Sequence, residues 1–472
     1  MVSCSSNPSV LSSQITTPSI TQTTATVTIP ENKVTESKNI TETHAPDTTV
    51  NKPVNTNYSF DIFYDNVTHL LSVNEKVIYF NQTEKILEFI PFIVPNDFQF
   101  SSIVIDGKLF QPIPVRNKNS IMLSLEKKLM KRESVEIRIA YSVFVPKTKG
   151  VLGWTDQQIN LADFYPFIPP YRNSEGWFIN EPGEVGEYMV YEISDFHLNF
   201  GTNISDTYEL FANAHSGKNN DRYFIDAHRY RNVVLSICSD CSRSEFDFGT
   251  FKVIGSFLSD DKRKGDDAIA IIGQSILYFS ELFGVSYPHG EMTIIEADFP
   301  DGMEYDGLFF LSKVYFDQYE GGFQNYLSLL SVHETSHQWW YGIIGNDQAM
   351  EPWLDEALST YSEFLFIEEF HQDLASWWWD YRVFTYTPDE LVSSTIYDFK
   401  GNRAYINAVY LEGAQYLRDL RSNLSDEVFF THLKDYAQRY NGKIADSSGF
   451  ESTFISELTP DLKKIREKYF GN

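Results

Sequence analysis

The chain has 472 residues, of which 42% are hydrophobic and 15% aromatic, so it can form a sizeable core and is long enough for two or three domains. Its formal net charge is -27, with 65 acidic against 38 basic residues, which repels phosphates and anionic membrane surfaces and argues against nucleic-acid binding. No stretch reaches the roughly 18 uninterrupted apolar residues of a membrane-spanning helix, so the sequence predicts no transmembrane segment.

Residues 1–57 are rich in Ser, Thr, Asn and Pro and contain hardly an aromatic residue. Such a segment cannot bury enough apolar surface to offset the entropy of ordering, so we predict a disordered stalk. Its start, Val2 to Asn7, looks like the end of a bacterial lipobox followed by a lipoprotein spacer, which predicts an exported, cell-surface protein with a lipid anchor at Cys4. The alternative is an arbitrary chain start with a free thiol, which leaves a cytoplasmic location open.

Residues 58–258 alternate short runs of β-branched and aromatic residues with turn residues. The segment Val135 to Tyr141, in which Val and Ile alternate with Glu and Arg, shows the period of a strand with one buried face. We therefore predict an all-β N-terminal domain.

The hydrophobic period changes after Asp261. Residues 268–283 carry apolar side chains at helical spacing behind a charged start, so residues 259–472 are predicted to form a mostly helical second domain. One clear strand, Met292 to Ile295, lies within it. Further helices are predicted at 326–342, 352–370, 408–421 and 427–440. The predicted fold class is multidomain α+β.

A His-Glu-x-x-His motif occupies residues 333–337 on one of these predicted helices. Side chains at positions i and i+4 project from one helix face, so the imidazoles of His333 and His337 can hold one metal ion. Zinc suits this ligand type, and Glu334 beside the first ligand can accept a proton from the attacking water. An isolated motif of this kind can arise by chance, so a third ligand decides its meaning.

A catalytic zinc needs three protein ligands and an open position. Glu356 follows His337 with 18 residues between them, on a second predicted helix that begins at Pro352. If the two helices pack, His333, His337 and Glu356 can converge on one Zn²⁺ per chain. The alternative is that they are ordinary surface or capping residues.

The string from His333 to Tyr361 resembles the aminopeptidase N family of gluzincin zinc metallopeptidases, in which HExxH is followed after 18 residues by a glutamate in a WLNEG-like segment. Here that segment reads Trp-Leu-Asp-Glu-Ala at 353–357. Thermolysin-type enzymes place an Asp four residues past the glutamate, where this chain has Thr360. The resemblance implies a saddle-like β domain, a thermolysin-like catalytic domain with a small sheet, and a short bacterial-type member without the C-terminal helical domain of larger members.

The resemblance also implies a substrate-binding segment. The family's GxMEN loop on an edge strand binds the α-amino group of the substrate, and residues 301–305 read Asp-Gly-Met-Glu-Tyr. This places Gly302, Met303 and Glu304 at the substrate, with Glu304 as the amine anchor. The alternative for Glu304 is an acidic residue in a loop without such a role.

The family's oxyanion-stabilising tyrosine is followed by x-[KE]-G, and residues 410–413 read Tyr-Leu-Glu-Gly. The resemblance therefore makes Tyr410 a catalytic residue beside Glu334. Tyr405 and Tyr416 lie nearby without the glycine, and helix packing is the alternative role for Tyr410.

The family's second amine-binding acid, which comes from the β domain, is not recognisable around Asn160 to Pro166, so no second acid is assigned. The sequence thus predicts a zinc aminopeptidase that acts on peptides with a free amino terminus. Two rival functions stay open. One is a zinc endopeptidase or another hydrolase on the same scaffold, and the other is a non-catalytic surface-binding protein, which the stalk suggests.

Two other features have several interpretations. The lone pair Cys238 and Cys241 predicts a tight disulfide or two idle thiols. The aromatic residues between Trp377 and Tyr386 are predicted to form core or cleft wall, with a hydrophobic pocket for the substrate's first side chain as the alternative.

Overall fold

The computed structural model describes residues 55–113, 116–204, 208–258, 260–388, 390–454 and 459–471. The predicted stalk and Cys4 lie outside this part of the chain, except that residue 55 precedes the first strand and residues 56–57 already belong to it. Among the described helices, none is long and apolar enough to cross a membrane. Cys238 and Cys241 are free thiols, so of the two predicted alternatives the disulfide is not formed.

The N-terminal domain is built from strands with one buried face. Along β1 and β2 buried side chains alternate with partly or fully exposed ones, as the period-two pattern predicts. Its strands are β1 (Thr56–Asp65), β2 (Leu70–Phe80), β3 (Leu87–Ile93), β4 (Phe98–Ile105), β5 (Lys108–Leu109), β6 (Ser120–Leu129), β7 (Ser134–Phe144), β8 (Leu152–Trp154), β9 (Gln158–Leu161), β10 (Tyr171–Arg172), β11 (Gly176–Trp177), β12 (Ser194–Thr202), β13 (Glu209–Ala212), β14 (His215–Asn219), β15 (Arg222–Tyr230) and β16 (Leu235–Cys238).

These strands form an eight-stranded sheet in the order β14-β15-β12-β1-β2-β7-β4-β5 and a four-stranded sheet in the order β13-β16-β9-β8. β3 pairs with β6, and β10 pairs with β11, in two smaller sheets. All of these pairings are antiparallel except that of β1 with β12. The apolar faces enclose a core that includes Phe60, Ile139 and Leu198.

A second sheet lies in the predicted catalytic domain. Its strands are β17 (Ser242–Asp247), β18 (Lys252–Phe257), β19 (Glu291–Ala297), β20 (Gly302–Tyr305) and β21 (Leu308–Ser312), in the order β17-β18-β19-β21-β20. β17 and β18 therefore join this sheet although they precede the predicted domain boundary at residue 258. β20 is an edge strand, paired only with β21, so one side of its backbone is available to an extended peptide.

The helices pack on this sheet. They are α1 (Lys262–Leu282), α2 (Lys313–Asp317), α3 (Tyr326–His337), α4 (Trp353–Phe370), α5 (Ala375–Trp377), α6 (Asn402–Tyr405), α7 (Gly413–Leu424), α8 (Asp426–Tyr440), α9 (Ser447–Phe454) and α10 (Pro460–Phe470). Short π-helical turns follow three of them, at Gln338–Ile343, Trp378–Val383 and Ile406–Glu412. The predicted helices are thus present, but those at 326–342 and 408–421 each combine an α-helix with a π-helical turn.

Local signals fix where these helices start. The side chain of Asp261 caps α1 by accepting a hydrogen bond from the backbone of Arg263, and Asn325 caps α3 in the same way through Ser328. α1 then buries Ile269, Ile272 and Ile276 among other apolar residues of the catalytic core.

The buried side chain of Arg231 joins the β domain to the catalytic elements. Arg231 is 2% exposed, and its guanidinium donates to backbone carbonyls of the β domain, of the π-helical turn after α3 and of the loop after α8. The acceptors are Tyr191 (2.9 Å), Tyr341 (2.5 Å), Gly342 (2.8 Å), Ile343 (3.2 Å) and Lys443 (3.2 Å). Its backbone N–H donates to Asp306, which lies in the turn between β20 and β21 and also contacts His289 at 2.7 Å.

Substituting Arg231→Met should lower the free energy of unfolding by about 3–5 kcal/mol. The substitution leaves buried carbonyl groups without their hydrogen-bond donor and the charge of Asp306 without the nearby guanidinium. Urea unfolding followed by fluorescence measures the change. Arg229→Met, which alters an exposed side chain two residues away, is the matched control and should change stability by less than about 0.5 kcal/mol. Similar losses for both variants would show that Arg231 has no special role in joining the domains.

Candidate active site

The HExxH helix and the following helix bring the three predicted ligands together. His333 Nε2 and His337 Nε2 lie 3.1 Å apart, and Glu356 Oε2 lies 3.4 Å and 3.6 Å from them. All three side chains are buried. A single cation between these atoms would have two imidazole nitrogens and one carboxylate oxygen as ligands.

The other ring nitrogen of each histidine is held by a carboxylate. Glu363 lies 2.9 Å from His333 Nδ1, and Asp355 lies 2.6 Å from His337 Nδ1. These contacts orient both rings with Nε2 toward Glu356, as outer partners of metal-binding histidines do. Burial raises the pKa of Glu363, but the charges of Arg382 and His333 outweigh it and hold this pKa at about 2. Glu363 is therefore a fixed anion behind the first histidine, and the donor set fits Zn²⁺.

Glu334 faces the edge strand. A Cβ added to Gly302 would lie 2.2 Å from Glu334 Oε1, so the base rests directly on the backbone of β20. Among the described residues neither carboxylate oxygen of Glu334 has a hydrogen-bond partner. Burial raises the pKa of Glu334 to about 7, although His333 and His337 act in the opposite direction. An unpartnered carboxylate at this position can accept a proton from water.

Glu304 lies beside a second acid, Glu187, which the sequence analysis did not identify. Carboxylate oxygens of Glu187, Glu304 and Glu356 all lie within 4.8 Å of one another. Burial, followed by the charge of Glu356, raises the pKa of Glu187 to about 8. Burial and Glu187 raise the pKa of Glu304 above its ordinary value. Negative charge is in excess here, so the pair favours a cation such as an ammonium group.

The backbone before Glu187 explains how the β domain delivers this acid. Gly186 adopts a φ of +74°, and a Cβ there would lie 2.4 Å from Ile396 and 3.1 Å from the hydroxyl of Tyr405. Only glycine fits both the conformation and the space, so the chain turns tightly against the catalytic domain. In the sequence, Glu187 is marked only by the glycine directly before it, between Gly183 and Tyr188. This pattern has no characteristic spacing that would identify a binding residue.

The segment from Asn160 to Pro166, in which the sequence showed no recognisable second acid, has a structural role. Asp163, within Asn160 to Pro166, accepts hydrogen bonds from Tyr191 at 2.8 Å and from Tyr305 at 3.2 Å. It thereby supports the residue that follows Glu304. No acid of this segment joins the cluster of Glu187 and Glu304 in the described structure.

Tyr410 lies next to the predicted metal ligands. It is 1% exposed, its ring lies parallel to that of His333 at 6.0 Å, and its hydroxyl donates to Glu356. Gly413 makes this approach possible, because a Cβ there would lie 2.4 Å from the Cβ of Ala357. Tyr416 packs instead against Trp353 at 5.8 Å, away from the cluster.

Two predicted substrate-binding residues differ in orientation. Gly302 faces Glu334, whereas the side chain of Met303 packs with Tyr305 and Phe310 on the other face of β20. Successive side chains of a strand point to opposite faces, so Met303 can meet a substrate only through its backbone. Gly302 and Glu304 therefore form the part of β20 that faces the cluster.

Comparison with known proteins agrees with this geometry. Residues 268–469 match the Peptidase family M1 domain. This part of the chain is therefore similar to the M1 peptidases, the aminopeptidase N family. It is 25% identical over 226 residues to aminopeptidase M1-A of Oryza sativa subsp. japonica and 27% identical over 205 residues to aminopeptidase N of Rattus norvegicus. These matches cover 42% and 38% of this chain but only 26% and 20% of the relatives, so the chain spans a fifth to a quarter of the length of these relatives.

Solved structures resemble this chain over most of its length. An M1 zinc metallopeptidase from Deinococcus radiodurans superposes with a TM-score of 0.62 at 15% identity, covering 89% of this chain and 94% of that one. A two-domain M1 zinc metallopeptidase bound to L-arginine superposes with a TM-score of 0.64 at 14% identity and the same coverage. The β domain followed by a helical catalytic domain is thus the two-domain M1 fold, as predicted.

Substituting Gly302→Ala should reduce peptide hydrolysis by about 100-fold, because the new methyl group displaces the Glu334 carboxylate while leaving the backbone conformation allowed. Steady-state kinetics measure the loss, and zinc content should not change. Gly290→Ala is the matched control, since a Cβ there meets nothing within 4 Å. A near-normal rate in the Gly302 variant would contradict the placement of Glu334 against β20.

Proposed function

We propose that the protein is a zinc-dependent aminopeptidase that removes residues from the free amino terminus of peptides. The observation that carries the proposal is the cluster of a histidine-histidine-glutamate triad, an unpartnered Glu334 and the acid pair Glu187 and Glu304 beside one edge strand. The similarity of residues 268–469 to the Peptidase family M1 domain supports the reaction class.

His333, His337 and Glu356 would hold the metal. When bound there, zinc supplies a Lewis acid for the scissile carbonyl and makes the attacking water more acidic. Glu363 and Asp355 act as positioning residues, because they fix the ring orientation through the far nitrogens of the histidines.

Glu187, Glu304, Glu334 and Tyr410 have different roles in the proposed reaction. The carboxylates of Glu187 and Glu304 hold the α-ammonium group, so the bond that reaches Glu334 is the first peptide bond. Glu334 takes a proton from the attacking water and later gives it to the leaving amine. The hydroxyl of Tyr410 donates to the oxyanion that forms on the scissile carbonyl.

Glu187 also separates this function from the rival hydrolases. An endopeptidase must accommodate polypeptide on both sides of the scissile bond. The two adjacent carboxylates of Glu187 and Glu304 instead favour a positively charged amino terminus beside the proposed metal ligands. No specific observation favours a non-catalytic surface protein. The cell-surface location with a lipid anchor at Cys4 is likewise a proposal, and it is supported only by the sequence of residues 2–7.

Replacing Glu187 or Glu304 should slow hydrolysis only of substrates with a free amino terminus. For Glu187→Gln and Glu304→Gln we expect kcat/KM on free aminoacyl peptides to fall about 10- to 100-fold, since each change removes one charge-assisted hydrogen bond. Hydrolysis of the N-acetylated peptides should stay at its low starting level.

Substrate kinetics on matched free and acetylated peptides, with elemental analysis for one zinc per chain, test this prediction. Glu184→Gln is the control, because Glu184 is an exposed acid on the same segment. Equal losses on free and blocked peptides, or equal losses for Glu184→Gln, would contradict the amine-binding role.

A further inference from the structure

Two histidines and two aspartates lie together on the solvent side of the eight-stranded sheet. The pattern Asp-x-His occurs twice there, at residues 195–197 of β12 and at residues 226–228 of β15. The two strands are antiparallel, and their register places His197 opposite Asp226 and Asp195 opposite His228. Residues that are directly opposite or two apart share one face of a sheet, and all four side chains are partly or fully exposed. The two patterns therefore form one group of four polar side chains.

Each histidine of this group faces the aspartate across from it. Asp226 Oδ1 lies 2.8 Å from His197 Nδ1, and Asp195 Oδ1 lies 3.8 Å from His228 Nδ1. The backbone N–H of Arg229 donates to Asp195 at 2.9 Å, which fixes this second carboxylate. Within the described residues neither Nε2 atom has a hydrogen-bond partner, so both are available to a ligand.

The predicted metal ligands of the same molecule are arranged in a similar way. The rings of His197 and His228 lie 5.4 Å apart at an angle of 71°, and those of His333 and His337 lie 4.8 Å apart at 76°. In both pairs each Nδ1 atom faces a carboxylate, which is the usual outer contact of a metal-binding imidazole. A tetrahedral zinc holds two imidazole nitrogens roughly 3.3 Å apart. The side chains of His197 and His228 are 39% and 68% exposed, so their rings can turn toward one ion.

We propose that His197 and His228 form a second metal site, which binds one exchangeable divalent transition-metal ion such as Zn²⁺ through their Nε2 atoms. Imidazole nitrogens suit zinc, copper and nickel, whereas magnesium and calcium prefer oxygen ligands. Asp195 and Asp226 are positioning residues that hold the two rings, and water completes the coordination. The net charge of -27 raises the concentration of cations near the protein and favours loading of the site. The proposal does not depend on the aminopeptidase function.

A third histidine on this face of the sheet marks the limit of the site. His215 in β14 lies opposite Asp226 on the side away from His197, and two strand spacings of about 10 Å in total separate the two histidines. His215 Nδ1 lies 3.4 Å from Glu291 in β19. His215 therefore has a partner of its own and does not share the ion.

Equilibrium dialysis of the zinc-loaded protein against micromolar ZnCl₂, followed by elemental analysis, tests the proposal. Wild-type protein should bind one zinc per chain more than the double variant His197→Gln/His228→Gln. The single variant His228→Gln should lose the extra ion as well. Asp226→Asn keeps both imidazoles and should weaken binding of the extra ion about 10- to 100-fold, because the ring of His197 loses its outer partner. Only differences between proteins are counted, so an ion in the candidate active site does not affect the result.

His215→Gln is the matched control, since it removes an exposed histidine of the same sheet face, and it should bind as much zinc as wild type. Far-UV circular dichroism checks that each variant is folded. Equal zinc contents of wild type and the double variant would overturn the proposal. A loss for His215→Gln as large as that for His228→Gln would also overturn it.

Discussion

The hydrogen bonds of Arg231 are the constraint on which the site depends. This guanidinium is surrounded by carbonyls from the β domain, from the turn directly after the HExxH helix and from the loop after α8, while its backbone holds Asp306. Asp306 lies two residues after Glu304, and Tyr341 lies four residues after His337. Glu304 and the three residues proposed as metal ligands are therefore placed relative to each other through one buried cation, which replaces the flexible linkage that two separate domains would have.

The electrostatics of the cluster follow from this rigid frame. The half-buried Glu187 lies with the buried Glu304, Glu334 and Glu356, and burial and mutual repulsion raise the pKa of the first three. Such an arrangement is costly unless cations enter it. In the proposed function, a divalent metal held by the two histidines and a substrate ammonium held by Glu187 and Glu304 would supply this positive charge. The acidic surface, with a net charge of -27, also attracts cationic peptides.

The part of the site that could be predicted from the sequence is the part that local helical periodicity determines. Residues 333–356 contain two helices whose ligand spacing requires only that the helices pack, and the structure places those side chains together. Glu187 could not be predicted, because its position depends on how the loop after Gly186 packs against the catalytic domain. Local hydrophobic periodicity carries no information about such a tertiary contact. The place of Arg231 in the interior and the addition of 242–257 to the catalytic sheet are tertiary features of the same kind.

In the proposed function, Glu187 and Glu304 together fix the substrate's amino terminus beside the metal triad. A crystal structure of zinc-loaded Glu334→Gln protein with the tripeptide Ala-Phe-Ala tests it most directly. We predict the terminal nitrogen within hydrogen-bonding distance of both carboxylates, and the first peptide carbonyl next to Tyr410 and the metal. A peptide that runs through the cleft with its amino terminus away from Glu187 and Glu304 would contradict it.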